Sequence, residues 1–154
     1  MDRLWGFLHL FFAFSFVGGL VVAEWNGRMA RTVSDWPQRA ILFSIVHRST
    51  RLTGIGALLL VGVFGHLWAV PLAWKMGTER WMQVSTTVWL ALLLLMALVI
   101  TPAAGRLEAI AREAAAGGSG EGWDRALARW RLGNALASGL YLAMLALMVF
   151  RWRT

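Results

Sequence analysis

Four apolar runs, at residues 4–23, 52–74, 81–101 and 132–150, constrain this chain more than any other feature. Each is close to the roughly 20 residues that cross about 30 Å of hydrocarbon as a helix. Each is bounded by charge: Arg3 and Glu24, Arg51 and Lys75, Arg80 and Arg106, Arg131 and Arg151. A bilayer offers the backbone no water, so runs of this kind must be helical. The alternating segments of about 10 residues that mark a transmembrane barrel are absent. The expected fold is all-α, an integral-membrane four-helix up-down bundle forming one domain over residues 1–154.

Composition agrees. The chain is 58% hydrophobic and 15% charged, against roughly half and a quarter in a soluble domain. A soluble domain of 154 residues cannot hide that much apolar surface, and a disordered chain would be far more polar. The first run resembles a signal peptide ending at Val21-Val22-Ala23. It is longer than the about 7–15 residues of a signal core, so it is read as a retained helix. The absence of cysteine excludes disulfides, iron–sulfur clusters, thiolate metal sites and cysteine nucleophiles.

The connections are unequal. Residues 24–51 carry Arg28, Arg31, Arg39, Arg48 and Arg51, and residues 102–131 carry Arg106, Arg112, Arg125, Arg129 and Arg131. The termini and the tight turn at 75–80 (with Gly77) share Arg3, Lys75, Arg80, Arg151 and Arg153. By the positive-inside rule the loops 24–51 and 102–131 are cytoplasmic and both termini lie outside. The net charge of +7 is thus a topology signal, and no separate basic domain exists to bind nucleic acid. Within the third connection, residues 106–116 are strong helix formers and read as a solvated extension of helix three. Gly117-Gly118-Ser119-Gly120 ends it as a flexible link, without the features of a phosphate loop. Asp35-Trp36-Pro37 reads as a turn or helix start, with Asp as cap. Trp5, Trp25, Trp68, Trp74, Trp81, Trp130 and Trp152 fall near helix ends, as an aromatic belt does, while Trp89 lies deep in a span.

Polar side chains inside a membrane are candidates for function because they are expensive there. No Asp, Glu, Lys or Arg lies deep in any run, which weighs against a proton pump or ion-coupled transporter. His9 and His66 fall at matched depths in the outer half of the first two helices. Two facing imidazoles at one depth suit the iron of a b-type haem. Gly62, Gly65 and Ala13 leave space beside them. The alternative is a pair of bundle-facing rings hydrogen-bonded to Ser, Thr or a carbonyl, with no cofactor. Copper through His and Met is a further reading, although the sequence shows no methionine cluster on that side. His47, with Arg48 and Arg51 at the cytoplasmic mouth of helix two, reads as a site for an anionic headgroup or a haem propionate. Glu24 and Arg28 read as a surface ion pair.

Leu8-His9-Leu10, the stretch Phe16-Val17-Gly18-Gly19-Leu20, Trp81-Met82-Gln83-Val84-Ser85, Pro102 and Leu147-Met148-Val149-Phe150-Arg151 resemble a small four-helix bacterial integral membrane family of unknown function. More distantly they are similar to copper-resistance D-like proteins and HemJ-type protoporphyrinogen oxidases. The resemblance implies a bacterial inner-membrane bundle in which His9 is associated with haem. The HemJ type carries a lysine in helix three where this chain has Val84-Ser85-Thr86, which argues against the oxidase activity.

The specific expectation is a haem b redox or electron-transfer protein with no assigned catalytic residue. The alternatives are a non-catalytic subunit of a membrane complex and a small metal or solute permease. Expected partners are the lipid bilayer and a second copy or another membrane subunit.

Overall fold

The computed structural model describes residues 2–70, 72 and 80–150. Pro71, Trp74, Lys75, Gly77, Arg151, Trp152 and Arg153 lie outside them, and with them the expected turn at 75–80. Among the described residues the chain is helical, with no strand, and forms four helices each long and apolar enough to span a membrane. The first is α1 (Asp2–Thr32). The second joins α2 (Trp36–Ser49) and α3 (Ala57–Ala69) through a π-helical stretch, Thr50–Gly56. The third joins α4 (Arg80–Leu95) and α5 (Thr101–Ala115) through another, Met96–Ile100. The fourth is α6 (Trp123–Phe150). The chain is a multi-pass membrane protein.

The helices outrun the four apolar segments, always at the same end of the bundle. The expected loop 24–51 is helical except around residues 33–35, and 102–131 is helical except around 116–122. These extensions form a second storey roughly 20 Å tall. Its centre is α2 against α5. Ala103, Ala104, Leu107, Ile110, Ala111 and Ala114 recur at helical spacing and are all buried, so α5 has one apolar face. The stretch 106–116 is therefore packed on that face, where a solvated extension was expected.

Local chemistry sets the breaks. Asp35 takes the N-cap position of α2 with extended backbone and Pro follows within the first turn, although the Asp35 side chain makes no capping bond. At the end of α5 the Gly118 N–H donates to the Glu113 carbonyl and Gly117 N–H to that of Ala114. This double closure requires a left-handed residue, supplied by Gly117 at φ 98°. The glycine link is thus a helix cap. The stretch Met96–Ile100 precedes Pro102, which has no N–H for the carbonyl four residues back and crowds it. The helix widens, and Thr101 N–H reaches back five residues to Met96.

Trp130 is not part of an aromatic belt. It is 1% exposed, meets Phe43 edge-on with centroids 5.5 Å apart, and packs where a Cβ on Gly27 would lie 2.3 Å from its ring. Trp123 joins the same cluster against Phe43 and Trp36, and the Arg39 guanidinium lies 4.6 Å from the Trp36 ring centroid. Trp25, by contrast, is exposed as a belt residue would be. Trp130→Ala should cost about 3–5 kcal/mol, read as a large loss of thermal stability in detergent. Trp130→Phe keeps the edge contact and removes an indole N–H that has no partner among the described residues, so it should cost much less.

Candidate functional site

At the end of the bundle away from the extensions, α1, α3, α4 and α6 enclose a cavity of about 290 Å³ with mostly apolar walls. His9 of α1 and His66 of α3 both line it, together with Gly62 and Gly65. The two histidines paired by depth are thus brought to one site. Ala13, expected beside them, is half-buried and is not among the residues lining this cavity.

Both rings are held through the backbone of α3. His9 Nδ1 lies 2.9 Å from the Val61 carbonyl, and His66 Nδ1 lies 2.7 Å from the Gly62 carbonyl. A carbonyl only accepts, so each ring donates from Nδ1, and a neutral ring then keeps the Nε2 lone pair for another partner. Thr86 Oγ1 stands 3.5 Å from His66 Nε2, too long for a strong bond. A backbone carbonyl on the far nitrogen is how proteins orient a metal-ligating histidine. It also suits a ring that binds nothing.

Glycine makes these contacts sterically feasible. In a helix the carbonyl of residue i is shielded by the side chain at i+4. Gly65 stands four residues after Val61, and a Cβ there would lie 3.0 Å from His9 Nδ1. Gly62 stands four after Leu58, whose carbonyl accepts from Trp89 Nε1 at 2.7 Å. A Cβ on Gly62 would lie 2.2 Å from the Trp89 ring. Trp89, the one tryptophan deep in a span, is therefore a cavity wall tied to α3, and its ring is tilted against His66 with centroids 6.3 Å apart.

Further walls were not assembled from sequence. Trp68 and Trp81, read as belt residues, both line the cavity. So do Met82 from α4 and Met144 and Met148 from α6. Met144 and Met148 stand one turn apart on α6, and only folding brings Met82 of α4 to the same cavity. Ser85 and Thr86 supply hydroxyls from α4. Ser85 Oγ is buried and has no hydrogen-bond partner among the described residues.

His47 sits at the opposite end, as expected. Its Nδ1 lies 2.8 Å from Glu108 Oε2, and Arg112 binds the other carboxylate oxygen. The ring occupies space over Gly105, where a Cβ would lie 3.1 Å from Cε1. This is a clamp between α2 and α5. Arg48 and Arg51, expected beside it, are exposed. Glu24 and Arg28 do form their ion pair, at 2.8 Å.

Comparison with known protein families, with curated proteins and with solved structures found no match.

Gly62→Ala should cost about 1–3 kcal/mol by overpacking against Trp89. The cost should largely vanish in a Trp89→Leu background. Equal costs in both backgrounds, measured by thermal unfolding in detergent, would show that the Trp89 contact is not what the glycine serves.

Proposed function

We propose that this is a haem b protein of the bacterial inner membrane, using His9 and His66 to hold the iron in a redox or electron-transfer role. The observation that carries the reading is the convergence of two membrane imidazoles, both with Nδ1 occupied by an α3 carbonyl, on one apolar cavity. The donor set fits haem iron, since each ring retains Nε2. Trp68, Trp81 and Trp89 supply flat apolar walls, and the unpartnered Ser85 hydroxyl supplies a hydrogen bond to a bound group. Haem held there would supply one-electron chemistry; the protein's own residues orient the ligands and exclude water. Oxidase activity of the HemJ type is not part of the proposal, because α4 carries Val84-Ser85-Thr86 where that type carries a lysine.

Met82, Met144 and Met148 favour a second reading. Three thioethers with two imidazoles on one cavity would make a soft donor set of the kind that selects copper(I), in keeping with a small metal permease.

An absorption spectrum of protein purified from haem-supplemented cells separates the readings. The haem proposal expects a Soret band that shifts on reduction, lost in His9→Ala and His66→Ala and retained in His47→Ala. A colourless preparation with no haem by chemical assay would overturn it. Stoichiometric copper(I) uptake by that colourless protein, lost with the methionines, would favour the second reading, and neither result would leave the structural subunit.

A further inference from the structure

A second cavity, of about 430 Å³, lies between α1 and α6 and shares no residue with the histidine cavity. Val17, Leu20, Val21 and Leu142 make its deeper walls, and Glu24 and Arg28 close one end. Glu24 is the first charge after the apolar run 4–23. Val17 lies seven residues earlier, roughly 10 Å deeper at helical rise. The groove therefore runs from headgroup level into hydrocarbon, and its occupant must be an amphiphile with its polar part at Glu24 and Arg28.

The chemistry at that end is two-signed. Glu24 Oε1 accepts from Arg28 Nε at 2.8 Å, and Oε2 accepts from Asn134 Nδ2 at 2.8 Å. A carboxylate has about four acceptor sites, so about two remain. Arg28 has spent one of its five N–H donors, and its side chain is 71% exposed. Asn134 is 3% exposed, and its Oδ1 has no partner among the described residues. Its side-chain amide, by donating to Oε2, fixes Glu24 at the groove. Deeper in, Tyr141 lines the groove from α6.

We propose that this groove is a binding site for a phospholipid with a primary-ammonium headgroup, the ammonium donating to Glu24 and the phosphate accepting from Arg28. A choline headgroup has no N–H to donate. A headgroup with negative charge alone would meet Arg28 but be repelled by Glu24.

The test is native mass spectrometry of delipidated protein titrated with phosphatidylethanolamine, phosphatidylcholine and phosphatidylglycerol of identical chains. Phosphatidylethanolamine should be retained about tenfold more than phosphatidylcholine, the worth of one charge-assisted hydrogen bond. Glu24→Gln keeps an acceptor for Asn134 and should reduce that ratio to near one. Arg28→Gln, on an exposed side chain, should weaken phosphatidylethanolamine and phosphatidylglycerol alike. Equal retention of the three lipids by the wild type, or a preference that survives Glu24→Gln, would overturn the proposal.

Discussion

Spare lone pairs on the α3 backbone are what the histidine cavity depends on. A helical carbonyl already accepts from the N–H four residues on, but it keeps a second lone pair. In a medium without water that lone pair is one of few acceptors a buried donor can reach. Leu58, Val61 and Gly62 lend theirs to Trp89, His9 and His66. Two helices, α1 and α4, are thereby tied to α3, and the His66 ring is oriented on it, without a charged group in the membrane. Gly62 and Gly65 expose two of those carbonyls, so two hydrogen atoms in place of side chains decide where the polar edge of the cavity stands.

The same economy governs the second storey in different terms. There water is near, and α2 and α5 are joined by His47, Glu108 and Arg112 at one level and by an alanine-rich stripe that runs to either side of it. Tryptophan fills the gaps that small residues leave, as Trp130 does over Gly27. Across the molecule, close helix approach is made by glycine and alanine, and specificity by the one large or polar side chain that enters each opening. Small residues at membrane helix interfaces serve the same end generally.

The apolar runs were legible in the sequence because hydrocarbon imposes length and composition together. Their level-matched histidines were legible too, since a helix converts residue number into depth. The extensions were legible only in part: 106–116 reads as a continuation of helix three, but its packing against α2 does not show in the sequence. Residues 24–51 look like a loop because arginines and an Asp-Trp-Pro turn interrupt them. Trp130 was misassigned because position near a helix end is all a sequence provides, and only packing distinguishes a belt from a core. The methionine wall required α4 and α6 to be neighbours, which spacing along the chain does not encode.

The two π-helical stretches stand at one level and touch: a Cβ on Gly54 would lie 2.4 Å from Met96 Cε. A π turn holds an extra residue, so each stretch acts as a one-residue insertion that resets the helical phase by about 100°. The face that α3 and α4 turn toward the cavity is therefore not in register with the face that α2 and α5 turn toward each other. Each half keeps its own optimal stripe because the mismatch is absorbed between them. Deleting one residue from either stretch would restore a straight α-helix and force one storey to rotate against the other.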